Sequence, residues 1–190
     1  MMSKKLVIMR GLPWCGKSHT AKEIAGDVGV VYSTDDYFYT MVDPWNPTEY
    51  NFVPRYLAYA HKWNFMRATF DINVGHPLVI IDNTNTTASE PKKYVEYALC
   101  QDYKIEIREP TSDRWKEIRE LLQRKKECKK ELRAWAAKLA EGSLQTHKVP
   151  QFAIEKMMWR WQNDLTLDQI LEAEDYDKGQ KSEKETPFGL

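Results

Sequence analysis

The feature that most restricts this chain's fold is "GLPWCGKS" (11–18), placed directly behind the apolar run "LVIM" (6–9). Four consecutive apolar residues fit a strand buried on both faces, as in a parallel sheet. Two glycines, a lysine and a serine in this register form a phosphate-binding loop when a strand precedes them and a helix follows. Successive backbone N–H groups then converge on phosphate at a helix N-terminus. Gly11, Leu12, Pro13, Trp14, Cys15, Gly16, Lys17, Ser18 and His19 are therefore the expected ATP- and phosphate-binding stretch. Lys17 is expected on the β/γ-phosphates and Ser18 on Mg²⁺. Trp14 and Cys15 stand where such loops normally carry small residues, yet both still supply N–H groups. A positive φ at Trp14 would be strained, and an exposed indole there could stack on a base or shield the phosphates. Cys15, near a helix N-terminus, is expected to have a lowered pKa and to oxidise readily.

The rest of the chain alternates strands and helices. "SHTAKEIAGDVG" (18–29) reads as a helix ending at its glycines, and "VVYST" (30–34) as a second buried strand. A helix from Pro54 to about Val74 carries an aromatic and apolar stripe of Tyr56, Tyr59, Trp63, Met66 and Phe70. "PLVII" (77–81) is a third strand, 88–100 a helix, and "YKIEIRE" (103–109) an alternating strand nearer an edge. This order predicts an α/β fold with a doubly wound parallel sheet of about four to five strands.

Ser112 or Thr111 can cap the next helix, whose apolar residues are Trp115, Ile118, Leu122, Cys128, Leu132, Trp135 and Leu139. The spacing predicts one long helix ending at Gly142, with a polar gap at Lys125. Between 116 and 138 it carries nine lysines and arginines against four glutamates, either a solvated face or a polyanion track. Another helix opens at Pro150, and the polar tail from Glu172 is expected to be disordered. The domain is thus expected over 1–170, with 171–190 as tail.

Global charge gives no polyanion signal, because Lys plus Arg and Asp plus Glu are both 28. The three cysteines are odd in number and lack metal-ligand spacing, which favours a reducing compartment. The start "MMSKKLVIMR" is too short in apolar residues for a signal peptide, and no run approaches a membrane span. A cytoplasmic, or in a eukaryote nuclear, location is the expectation.

Asp35 and Asp36 follow the second strand at its C-terminal end, where open α/β sheets build sites. One of them can accept a hydroxyl proton, or both can cap a helix. Asp82 ends the third strand, where a carboxylate can order Mg²⁺ and its water. Asn83, Thr84 and Asn85 beside it are acceptor-side candidates or turn residues only.

"GLPWCGKS", "STDDYF", "IIDNTNTT", "REPTSDRW" and "HKVP", in this order, resemble the polynucleotide-kinase-like P-loop family over roughly residues 5 to 165. The resemblance implies a P-loop kinase-like fold with a helical lid, ATP and Mg²⁺ as cofactors, and phosphorylation of a hydroxyl, typically a nucleic-acid 5′-OH. It implies Asp35 as general base and Arg124, in "LLQRKK", as a lid arginine over the transferring phosphate. Asp36, Tyr37, Phe38, Asn83, Thr84 and Asn85 fall on its acceptor side. Phe38 stands where the phage member carries an arginine that holds substrate phosphate, and Asn83 replaces an aspartate. About twenty residues (127–146) separate Arg124 from "HKVP", so the lid, about 111–150, is expected to carry an inserted long basic helix. Two other functions remain open: a small-molecule kinase for a nucleoside, nucleotide or sugar, and a non-catalytic ATP-binding module. The latter would dock a partner protein through Trp115, Leu132, Trp135 and Leu139.

Overall fold

The computed structural model describes residues 4–42 and 44–175. Its strands are β1 (Lys5–Met9), β2 (Val30–Tyr32), β3 (Leu78–Asp82) and β4 (Lys104–Arg108). They form one wholly parallel sheet in the order β2-β3-β1-β4. The two most apolar runs take the centre, where both faces are covered: in β1 and β3 every residue after the first is buried. "VVYST" is not a buried strand. It supplies a three-residue edge strand, half-buried throughout, and Ser33 and Thr34 already accept helix-like bonds from Asp36 and Tyr37.

Eight α-helices follow among the described residues: α1 (Lys17–Ala25), α2 (Asp36–Thr40), α3 (Leu57–Asn73), α4 (Lys92–Leu99), α5 (Asp113–Gln123), α6 (Lys129–Gly142), α7 (Gln151–Arg160) and α8 (Leu167–Glu172). Alternate side chains of the sheet feed two cores. Leu6, Ile8, Val79 and Ile81 pack with Ala68, Ile72, Val95, Ala98 and Ile170 on one face; Val7, Met9 and Ile80 pack with Ala21 and Ala25 on the other. Helix α8, which the sequence pattern did not suggest, closes the first core. Residues 176–190, most of the expected tail, lie outside the described residues.

A third core joins α5, α6 and α7 to the glycine loop through Leu12 and Cys15. Here the expected single long helix is corrected, because the chain breaks between Gln123 and Lys129. Lys125 is the cause the structure offers: its ammonium donates to the carbonyls of Trp159 and Trp161 at 2.9 Å each, satisfying the C-terminal end of α7. The break lets both stripes, Trp115–Ile118–Leu122 and Leu132–Ala136–Leu139, face one interior. Three of the four proposed docking residues, Trp115, Leu132 and Leu139, are therefore buried.

Helix α3 turns its smaller residues to the sheet. Its sheet-facing residues are Ala60, Asn64, Ala68 and Ile72, while Tyr59, Met66 and Phe70 of the aromatic stripe are exposed. Small residues let α3 lie close to the sheet, and the bulky ones are left outside.

Candidate functional site

Strands β1 and β3 end side by side, with Met9 opposite Asp82. From β1 the chain leads to strands on one side and finally to β4 on the other, the arrangement that opens a ligand crevice beyond the strand ends. The loop 11–16 fills that crevice. Gly16 caps α1 in a left-handed conformation (φ 92) and has no side chain with which to bond the helix end. Its first N–H groups are thereby left for an anion, in the field of the helix dipole. Ser18 and His19 are exposed in this first turn.

Lys17 reaches across to Asp82, Nζ to Oδ1 at 2.9 Å, and both side chains are nearly covered. Burial alone would lower the Lys17 pKa, but Asp82 outweighs it and the shift is upward, so the ammonium stays charged. Cys15 corrects the sequence expectation in the opposite sense. It is fully buried, and desolvation pushes its thiol up to about 12 against the pull of Lys17. The thiol is inert and lies 2.7 Å from the Leu12 carbonyl.

Trp14 does hold a positive φ, 58. Its indole lies under the Arg114 guanidinium, 3.8 Å from the ring centroid, and Arg114 also donates to the Trp14 carbonyl at 3.0 Å. On another side it packs against Gly142, where a Cβ would overlap the ring. The strain of the left-handed backbone is offset by contacts from the start of α5 and the end of α6.

Asp35 and Asp36 part company because they start a helix, not because they end a strand. Asp35 is the N-cap residue of α2, and its carboxylate opens on the cleft. Tyr50 donates to Oδ1 at 2.9 Å, and His147 Nδ1 lies 3.7 Å from Oδ2. Asp36 turns away and pairs with Arg67 of α3 at 3.0 Å. Tyr37 meets Phe38 and Trp63 edge-on, and Phe38 is fully buried, so neither lines the cleft. Burial, joined by the proximity of Asp35, raises the Tyr50 pKa and keeps that phenol a hydrogen-bond donor.

Asn83, Thr84 and Asn85 line the cleft, but their polar groups are largely committed to the scaffold. Asn83 accepts from the Thr34 amide (3.0 Å), Thr84 from the Gly11 amide (3.0 Å), and Asn85 donates to the Met9 carbonyl (2.7 Å). Arg124 is not brought to the cleft. It is exposed at the C-terminus of α5, beside the helix break. The arginines that do line the cleft are Arg55, Arg114 and Arg160.

The cleft has a volume of about 1950 Å³ and runs from the glycine loop past Asp35 between α3, α4 and α7. Its walls carry nine lysines and arginines against four carboxylates, with Tyr50, Phe52, Phe65, Tyr94 and Phe152 among them. Sequence reasoning placed the candidate polyanion track elsewhere, between 116 and 138, and none of its lysines and arginines lines the cleft. A signal existed for the α7 wall. Phe152, Ala153, Lys156, Met157 and Arg160 recur at helical spacing opposite Ile154 and Met158, which point into the third core. Tyr50 had none, and although His147 opens the "HKVP" motif, nothing in the sequence paired it with Asp35, which both residues meet only through tertiary folding.

Comparison with known proteins places this geometry. An AAA domain family matches residues 6–147. NEDD4-binding protein 2 of Homo sapiens is 43% identical over 112 residues, which is 58% of this chain and 6% of that protein. The chain thus spans a small part of the length of that curated relative. Among solved structures, the Pnkp1/Rnl/Hen1 RNA repair complex contains a chain with the same fold at a TM-score of 0.53 and 24% identity, covering 84% of this chain and 44% of that one. Among the described residues, no helix is long and apolar enough to cross a membrane.

Proposed function

The chain belongs to the AAA domain family, and from that premise we propose that it is an ATP-dependent kinase that phosphorylates a hydroxyl, the 5′-OH of a DNA or RNA end. The observation that carries this reading is the single cleft with Lys17 and the glycine loop at its head, Asp35 beside them, and basic and aromatic walls beyond. Small-ligand pockets span ~300–1,000 Å³. A cleft of about 1950 Å³ leaves room for a second, elongated, anionic ligand next to the nucleotide.

Each step follows from residues in place. Loop N–H groups and the Lys17 ammonium bind the β- and γ-phosphates, competing with Asp82 for that ammonium. Ser18 lines the cleft and offers a hard oxygen donor suited to Mg²⁺, an ion usually held by one or two protein oxygens plus substrate phosphates; Asp82 does not line the cleft and is paired with Lys17, so it would serve the ion only where that pair opens. When bound, Mg²⁺ neutralises phosphate charge. Asp35 receives the proton of the acceptor hydroxyl as the new O–P bond forms and the bond from the γ-phosphorus to ADP breaks. Phe52 and Phe152 are exposed within the cleft and can stack splayed bases at ~1–3 kcal/mol each.

The test is γ-labelled ATP with Mg²⁺, offered to 5′-OH DNA and RNA oligomers and to a panel of nucleosides and sugars. Label on oligomers supports the proposal. Label on small acceptors alone replaces it with a small-molecule kinase, and label on nothing, with tight ATP binding, leaves a binding module.

A further inference from the structure

Helix α6 ends in a turn whose construction points at one residue. Ser143, buried behind α6, accepts from the amides of Thr146 (3.0 Å) and Lys148 (2.8 Å) through its carbonyl, while its Oγ accepts from the Val149 amide (3.0 Å). Lys148 takes a left-handed φ of 49 to complete the turn. A segment held by so many short bonds is rigid, and its tip is His147. The imidazole leans on Tyr50 at 4.9 Å between centroids, with Tyr39 at 6.3 Å, and its Nδ1 lies 3.7 Å from Asp35 Oδ2.

Asp35 has few other constraints. Tyr50 holds Oδ1, the neighbouring Asp36 is engaged by Arg67, and the Ser33 hydroxyl bonds to the Asp35 amide, not to its carboxylate. Without His147 the carboxylate could turn about its χ angles while keeping the Tyr50 bond. We propose that His147 is a positioning residue of the acceptor half of the site. It braces Asp35 Oδ2 so that the carboxylate meets an incoming hydroxyl in one orientation, and the turn after α6 carries it there. This inference rests on the kinase reading above.

The effect should be large in turnover and small in nucleotide binding, because the contacts of the His147 side chain itself are with Asp35, Tyr50 and Tyr39, on the acceptor side. A misplacement of order 1 Å at a reacting group costs ~10²-fold. His147→Ala should therefore lower kcat by ~10–100-fold with KM for ATP within about twofold. His147→Asn, whose amide can occupy the place of Nδ1, should recover most of that loss and also shows whether the turn has survived. The decisive measurement is His147→Ala in the Asp35→Asn background, read as residual transfer of labelled phosphate. If His147 acts through Asp35, the double variant is no slower than Asp35→Asn alone. An equal fold-loss in both backgrounds, or wild-type kcat for His147→Ala, overturns the inference while wild-type transfer leaves the kinase reading standing. A wild-type protein that phosphorylates no acceptor overturns both.

Discussion

Gly142→Ala sets two physical expectations against each other. Gly142 has ordinary helical backbone angles, φ −63 and ψ −26, and alanine is favoured over glycine in a helix by ~0.5–1 kcal/mol. Propensity alone therefore predicts a more stable protein. The structure predicts the opposite, because a Cβ at 142 would overlap three atoms of the Trp14 indole, closer than the 3.0 Å that real Cβ atoms keep. The ring must leave its seat. Trp14 is 43% exposed, so somewhat more than half of it is covered now. A fully buried aromatic hides ~150–250 Å² at ~25 cal/mol per Å², which makes the covered part worth about 2–3 kcal/mol. Losing the Arg114 stack adds ~0.5–1 kcal/mol. Set against the helix gain, the net destabilisation is about 2 kcal/mol, or ~4–8 °C in Tm for a chain of this size.

Urea unfolding followed by far-ultraviolet circular dichroism measures this directly. In a Trp14→Ala background the overlap is gone, and the same Gly142→Ala change should turn stabilising by ~0.5–1 kcal/mol. That reversal of sign is the signature of the contact. A stabilised Gly142→Ala single variant, or an undiminished penalty without Trp14, would refute the reasoning.

Asp35→Asn should cut turnover by ~10²–10⁴-fold with ATP affinity near wild type, whereas Asp36→Asn, which only releases a half-exposed pair with Arg67, should leave turnover within a few-fold; steady-state kinetics on both variants decide it, and the reverse order would misassign the base. Changing Lys62, Lys93, Lys148 and Lys156 to Gln should flatten the salt dependence of oligomer binding by ~0.7 in log–log slope for every phosphate that is no longer neutralised. The same change at Lys126, Lys129 and Lys130, which lie outside the cleft, should leave the slope alone. Because the Cys15 thiol is pushed up to about 12, its thiolate is ~10⁻⁴ of the total at pH 8, so iodoacetamide on folded protein should label exposed Cys100 and spare Cys15. Rapid labelling of Cys15 by peptide mass mapping would contradict its burial.

What the sequence disclosed was set by how local the cause is. The central strands were plain, since "LVIM" and "LVII" have no polar residue and fit only a two-sided interior. The glycine loop followed from its neighbours, a strand before and a helix after. Edge strand β2 misled because "VVY" is as apolar as a central strand while its environment is half open. The break between α5 and α6 was hidden because its anchor, Lys125 on the carbonyls of Trp159 and Trp161, spans more than thirty residues of chain. On α3 the aromatic residues outweighed the alanines in the pattern, yet close packing selects the small residues for the sheet side. The Asp35 environment was unreadable for the same reason as the helix break: Tyr50 and His147 arrive from separate segments.

The two misfit residues of the glycine loop find their reason in the packing against α5 and α6. A loop of small residues would have nothing with which to grip α5 and α6. Here Cys15 packs into their core with Leu12, Trp115 and Ile118, and its carbonyl accepts from Ser112 Oγ at 2.7 Å, the same hydroxyl that caps α5. Trp14 fills the space that Gly142 leaves at the end of α6. Just beyond Gly142 stands Ser143, which organises the turn carrying His147 to Asp35. One short stretch, 142–147, therefore touches the nucleotide side of the cleft through Trp14 and the acceptor side through His147. Packing in a protein interior is stiff, so a shift of α6 cannot reach one side without the other. It follows that Gly142→Ala, though distant in sequence from the glycine loop and from Asp35, should change KM for ATP and kcat together, while His147→Ala changes kcat alone.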